Sequence, residues 1–317
     1  MRALLAMVTV VLLSTAALGQ DYPNRPIRFV TFGAAGSASD VLVRTIGKRL
    51  SEKLGQPVIV DNKPGADGII AGNDVAKSTP DGHTLFFASN SPIAAAPALR
   101  KSVPYDPVKD FTPITMVGYY TFFLYAHPDV PAKTLGELIA YAKANPGKLS
   151  YGSGNTTGSV GASQIATMSD IKMVHVPYKG EPQALVDLLA GRIDLMIATL
   201  TTGLSHVRAG RLRALVTTLQ ERYPGLPDVP TIHEAGLPQY TITSWGGMFG
   251  PANMPKEIVA RLNKEFLEIL KEPEVIEALG KQGFVLTPST PEALGKFLGE
   301  QIEAWKVSAR AAGIEPE

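Results

Sequence analysis

Two stretches of this chain hold residue types at a spacing suited to gripping an anion without a cation. The first runs Thr31-Phe32-Gly33-Ala34-Ala35-Gly36-Ser37-Ala38-Ser39-Asp40, and the second Tyr151-Gly152-Ser153-Gly154-Asn155-Thr156-Thr157-Gly158-Ser159. Each follows an apolar, β-rich run and precedes a helical pattern. Small side chains let the backbone come close to a bound molecule. The free N–H groups that open the next helix, helped by its dipole, then favour negative charge. Serine, threonine and asparagine add donors that need no buried charge. Ser89, Asn90 and Ser91, at the end of another strand, make a third polar turn.

Catalytic constellations are mostly missing. Gly154 to Gly158 has the spacing of a nucleophile elbow but carries Thr156 where serine is required. Gly152, Gly154 and Gly158 miss the dinucleotide spacing, with Thr157 where the third glycine belongs. No Gly-Lys-Ser/Thr phosphate loop occurs. His83, His127, His175, His206 and His233 are scattered, none at metal-ligand spacing from another, and the chain has no cysteine. They read as surface or structural residues, and Asp40 reads as a charge at a helix start. A secreted hydrolase using Thr156 or Ser159 lacks an evident base. Neither a cofactor nor a metal is expected.

The elements that position these loops follow an α/β order. Ile27–Thr31, Val58–Val60 and Thr84–Ala88 read as strands, with helices over Val41–Leu54 and through Ala76. The scheme returns with Phe122–Ala126, a helix capped at Thr134 and running to Ala144, and Leu149–Tyr151. A helix at Ser159–Met168, strand Met173–Val176, helix Pro182–Ala190 and strands Leu195–Ala198 and Leu212–Thr217 complete it. Two such units predict two lobes. In the tail, a capping box at Thr231–Glu234 predicts a short helix ended by Gly236. Tyr240–Gly250 is strand-like, and helices are expected at Lys256–Lys271, Glu274–Gln282 and Pro291–Ala312, the last boxed by Ser289 and Glu292. A helical tail of this kind packs back on the first lobe.

Composition narrows the setting. Arg2, the uncharged apolar run Ala3–Leu13 and the small residues Ala17 and Gly19 before Gln20 form the layout of a cleaved secretory signal peptide over residues 1–19. The apolar run is shorter than the roughly 20 residues that span a bilayer. Export to an oxidising compartment without cysteine leaves buried apolar surface to carry stability. The chain is long enough for two cores. Lys and Arg number 30 against 29 for Asp and Glu, so no long-range field attracts nucleic acid.

Seven segments, in order, resemble one family. They are Tyr22-Pro23-Asn24-Arg25-Pro26-Ile27, Gly55-Gln56-Pro57-Val58, Asn62-Lys63-Pro64-Gly65-Ala66, Pro80-Asp81-Gly82-His83-Thr84-Leu85, His175-Val176-Pro177-Tyr178-Lys179-Gly180, Gly210-Arg211-Leu212-Arg213-Ala214-Leu215 and Leu226-Pro227-Asp228-Val229-Pro230-Thr231. The chain resembles the Bug receptors, the periplasmic solute-binding proteins of tripartite tricarboxylate transporters. The resemblance implies a two-lobed Venus-flytrap fold, each lobe a mixed, mostly parallel sheet flanked by helices. Lobe 1 would comprise 20–121 plus 228–317, and lobe 2 would comprise 122–227. It implies a periplasmic receptor, not an enzyme, that holds a small carboxylate between its lobes and delivers it to membrane permease subunits; a monomer is the default for such a diffusing receptor. A ligand-binding partner of a sensor kinase is the competing reading. The implied contacts fall on Phe32, Gly33, Ala34, Ala35, Gly36, Ser37, Ser39 and Asp40, and on Ser89, Asn90 and Ser91. In the second lobe they fall on Ser153, Asn155, Thr156, Thr157 and Ser159, with Tyr178 and Lys179 nearby.

The chain departs from the family pattern in places. Phe32, Ala34 and Gly36-Ser37 stand where the first loop usually has prolines and paired glycines, and His83 replaces a usual tyrosine. Many members carry Asp-Asn where this chain has Ala198-Thr199. Loss of that acid from the cleft is expected to disfavour a ligand bearing an amine.

Overall fold

The computed structural model describes residues 22–178 and 180–311. The expected signal peptide and Lys179 lie outside the described residues. Among the described residues, eleven strands fall into two sheets: β1 (Ile27–Thr31), β2 (Val58–Asn62), β3 (Thr84–Ser89), β4 (Phe111–Tyr120), β5 (Phe122–Ala126), β6 (Ser150–Ser153), β7 (Val174–Pro177), β8 (Leu195–Thr199), β9 (Arg213–Thr217), β10 (Ser244–Pro251) and β11 (Phe284–Leu286). The first sheet has the order β11-β4-β10-β3-β1-β2, and the second β7-β6-β8-β5-β9. In the first, β1, β2, β3 and β4 run one way while β10 and β11 run the other. In the second, only β5 opposes the rest. Both sheets are thus mixed with most strands aligned.

The helices are α1 (Ala38–Leu54), α2 (Ile69–Ala76), α3 (Ala96–Leu99), α4 (Leu135–Ala144), α5 (Thr156–Ser169), α6 (Glu181–Leu189), α7 (Leu200–Arg208), α8 (Lys256–Ile269), α9 (Pro273–Lys281) and α10 (Pro291–Ala311). In α1, Leu42, Val43, Ile46, Leu50 and Leu54 recur at helical spacing and are buried, so one face covers the first sheet. Gly55, at φ 69°, supplies the left-handed residue that ends it. Salt bridges from Arg49 to Glu272 and from Lys53 to Glu268 dock the tail on α1. Trp305 of α10 is fully buried.

The lobes are stitched together away from the cleft. Gln164 of α5 donates to Thr241 Oγ1 at 3.0 Å and to Ser308 Oγ of α10 at 3.1 Å. It also accepts the Thr241 and Ile242 N–H groups. The segment leaving β9 bridges Thr231 to Thr217 before the chain re-enters the first sheet at Ser244. The expected return at residue 228 falls inside that segment.

Several local expectations need correction. The box at Thr231 forms, since Glu234 N–H donates to Thr231 Oγ1 and Thr231 N–H to Glu234, but it closes a turn and not a helix. The last helix is capped by Thr290, which accepts from Ala293 N–H at 3.2 Å. Ser289 instead accepts from Met116 N–H and ties the tail to β4.

Gly118 shows how tight that tie is. It sits at φ 155°, and a Cβ there would lie 2.0 Å from the Val285 carbonyl oxygen of β11. Gly147, at φ 75°, faces open space. Chemical denaturation should therefore find Gly118→Ala costing about 3 kcal/mol or more, against about 1 kcal/mol for Gly147→Ala. Equal losses would contradict the β4–β11 packing.

Candidate ligand-binding site

Four strands present their carboxyl ends to the space between the sheets, and each ends in a polar turn. From β1 the chain passes through Phe32 and Gly33 to Ser37, the N-cap of α1. Ser37 Oγ accepts from Asp40 N–H at 3.3 Å and lies 3.1 Å from Ser39 Oγ. Gly33 is needed here, because a Cβ would fall 1.9 Å from Ser39 Oγ and 2.3 Å from Ser37 Oγ. From β6 the chain reaches Asn155, the N-cap of α5, whose Oδ1 accepts from Gly158 N–H at 2.8 Å. Gly154 lets this loop press on the next one, since its Cβ would lie 2.1 Å from Glu181 N. β8 ends at Thr199, the N-cap of α7. β3 ends at Ser89 and Asn90.

These turns enclose a cavity of about 300 Å³ lined by Phe32, Gly33, Ser37, Ala38, Ser39, Ser89, Ser91, Tyr120 and Ser244 from one side. Phe122, Asn155, Thr157 and Thr199 line the other. Among the described residues, none that lines it is charged. The first N–H groups of α1 and α5 have no acceptor within their own helices, so both ends offer donors. A buried link crosses the gap: Asn90 Nδ2 donates to Thr157 Oγ1 at 3.2 Å, and Asn90 Oδ1 accepts from Ser244 Oγ at 3.0 Å. With its lone pair so engaged, the Thr157 hydroxyl hydrogen is free to point elsewhere.

A second cavity of about 420 Å³ shares Ser91 and Asn155 with the first and holds Ser153, Thr156, Ser159, His175, Tyr178 and Arg100. Its polar groups are largely spoken for. Arg100 pairs with Asp67 at 2.7 Å, Ser153 Oγ meets His175 Nε2 at 2.7 Å, and Tyr178 donates to Asp187 at 2.8 Å. Burial holds the His175 imidazole below its usual value.

The candidate residues therefore divide. Phe32, Gly33, Ser37, Ser39, Ser89, Ser91, Asn155, Thr157 and Thr199 line the inner cavity, and Ser153, Thr156, Ser159 and Tyr178 the outer one. Ala34, Ala35 and Gly36 are exposed on the loop and line neither. Asn90 is buried and acts through its neighbours. Asp40 turns inward, where it accepts from Gly36 N–H, Arg44 and Asn62. Burial alone would raise its carboxyl, but these bonds outweigh it and hold the group below the ordinary range. Ala198 is fully buried among Phe123, Met196 and Leu200. An acid at 198 would enter apolar core rather than the cleft, which overturns the inference drawn from its absence.

Sequence reasoning missed three features. Tyr120 and Phe122 flank the crossing between sheets, and nothing local marks them as cleft residues. The Tyr120 hydroxyl is buried without a protein partner among the described residues, and burial pushes its pKa up. Glu181 accepts from Asn155 Nδ2 at 2.6 Å, from Thr199 N–H at 3.2 Å and from Thr199 Oγ1 at 2.7 Å, and also from Thr202 Oγ1. Its only signal was its place at a helix start beside Pro182. Among the described residues no group of His, Cys, Asp and Glu could hold a metal.

Comparison with known proteins shows the family and the fold. The family model for the tripartite tricarboxylate transporter family receptor matches residues 42–314. Protein BugT of Bordetella pertussis is 35% identical, over 93% of this chain and 91% of its own. The structure of Rpa4515 from Rhodopseudomonas palustris with adipate superposes at a TM-score of 0.82, with 33% identity, 94% of this chain and all of the other covered. MatC from the same organism, with bound malate, gives 0.76 at 30% identity over 90% of this chain and 99% of its own. The matched family is one of transporter receptors, and among the described residues no helix is long and apolar enough to cross a membrane. The chain belongs to the tripartite tricarboxylate transporter family of receptors.

Proposed function

We propose that the inner cavity holds the carboxylate of a small organic acid, and that closure of the lobes around it presents the loaded receptor to the membrane permease subunits of a tripartite transporter. The observation that carries this is the uncharged wall: the N-termini of α1 and α5 come from opposite sheets and line one cavity with hydroxyls and helix-start N–H groups. A carboxylate gains charge-assisted hydrogen bonds there without the desolvation cost of a buried lysine or arginine. The apolar faces of Phe32, Tyr120 and Phe122 suit a hydrocarbon spacer. Relatives solved with adipate and malate support the ligand class.

The same reading takes lobe 1 as 20–121 plus 228–317, lobe 2 as 122–227, and residues 1–19 as a signal peptide removed on export, leaving a monomer in the periplasm. The one-residue step from β4 to β5 at Thr121 supports the first boundary. Closed and open forms would differ chiefly in the cavity and the Asn90–Thr157 link, and only the closed form would present both lobes to a membrane partner in one arrangement.

Two outcomes are expected. A melting-temperature scan of protein stripped of carried-over ligand should show a clear rise with a small organic acid, about 2.7 kcal/mol of stabilisation at a hundred times the dissociation constant. No rise with any mono-, di- or tricarboxylate would refute the ligand class. Calorimetric titration of Ser39→Ala should show about tenfold weaker binding of the same acid, the loss of one hydrogen bond to a charged group. Unchanged affinity would remove α1 from the site.

A further inference from the structure

We infer that Glu181 sets ligand selectivity by turning the α7 side of the inner cavity into a hydrogen-bond acceptor, so that the preferred ligand is a monocarboxylate whose far end donates, as a hydroxyl or an ammonium group does. This rests on the inner cavity being the carboxylate site.

The start of α7 would ordinarily be a second anion-binding end, equivalent to those of α1 and α5. The Glu181 carboxylate already sits against its N-cap residue. That carboxylate takes the N–H of the N-cap Thr199 at 3.2 Å and the Thr199 hydroxyl at 2.7 Å, and it also receives the Thr202 hydroxyl. A carboxylate has no hydrogen to give, so Thr199 is the donor in both of its bonds. Its oxygen also lies 3.2 Å from Thr201 Oγ1 and 2.9 Å from Thr202 Oγ1, and with its own hydrogen given to Glu181 it meets every further partner, the cavity it lines included, as an acceptor. Asn155 is tied to the same carboxylate, its Oδ1 taken by Gly158 N–H at 2.8 Å and one of its two Nδ2 hydrogens directed to Glu181 at 2.6 Å.

The opposite end differs. Thr157 accepts from Asn90 and so keeps its hydroxyl hydrogen, and Ser37 and Ser39 share one bond between two hydroxyls at 3.1 Å. One end of the cavity is therefore rich in donors and the other in acceptors, with a carboxylate one bond behind it. A ligand with an ionised group at both ends would bring its second carboxylate against lone pairs and a like charge. A hydroxyl or ammonium there completes a hydrogen bond instead.

The test uses four acids of one length: hexanoate, 6-hydroxyhexanoate, 6-aminohexanoate and adipate, titrated calorimetrically into the stripped mature protein at neutral pH. Hexanoate has no polar far end and so reports the carboxylate grip alone. The wild type should bind the hydroxy or the amino acid at least tenfold more tightly than adipate. Glu181→Gln, checked for folding by its melting curve, should cut that ratio below threefold. Thr199→Val should abolish the gain of 6-hydroxyhexanoate over hexanoate. Adipate binding as well as the hydroxy acid in the wild type, or a ratio unmoved in folded Glu181→Gln, would overturn the assignment. Silence towards all four acids, hexanoate included, would instead bring down the carboxylate reading beneath it.

Discussion

The peptide of Thr121 is where the two sheets are held in one relation. It is the single residue between β4 and β5, it is buried, and both of its backbone groups are spent on opposite lobes. Its N–H donates to Gly283 O at 2.8 Å, beside β11 of the first sheet, and its carbonyl accepts from Leu200 N–H at 2.8 Å, the first residue of α7. Gly283, at φ 70°, packs so closely on Leu200 that a Cβ would lie 2.8 Å from the leucine Cβ. The start of α7 is thus registered against the first sheet through one peptide unit. Tyr120 and Phe122, on either side of it, become the apolar floor of the cavity.

From that constraint the chemistry of the cleft follows. Strands whose carboxyl ends face the gap deliver helix starts to it, and helix starts carry unpaired N–H groups. Because the backbone supplies the donors, their positions are as rigid as the sheets, and no long cationic side chain has to be ordered on binding. Arg100, the one arginine among the described residues that line either cavity, is paired with Asp67 in the outer one. The glycines at 33 and 154 matter for the same reason: each lets a loop close to within a distance that a side chain would forbid.

Much of this was legible in sequence because the signals are local. Phe122–Ala126 and Leu135–Ala144 carry unbroken apolar patterns and, for the helix, a capping box, and both elements occur with those bounds. The loops around Ser37 and Asn155 announced themselves by composition and flanking periodicity. What was not legible depends on partners distant in the chain. Strand β4 went unread because Pro113 and Gly118 interrupt its pattern, and its ladder with β10 shifts register twice. Asp40 sits in a ligand-like loop but is consumed by Arg44 and Asn62. Glu181 resembles any first-turn acid until Asn155, Thr199 and Thr202 are brought to it. Ala198 aligned with a polar position, yet its side chain faces core.

The central claim is that backbone N–H groups at the starts of α1 and α5, rather than a cation, hold the ligand's carboxylate. Amide chemical shifts of isotopically labelled protein, followed as a bound acid is titrated in, read this directly. The N–H resonances of Ala38, Ser39, Thr156 and Thr157 should move most, with the Arg100 side-chain Nε–H unmoved. A dominant shift at Arg100 with the helix-start amides unchanged would place the carboxylate in the outer cavity and contradict the account.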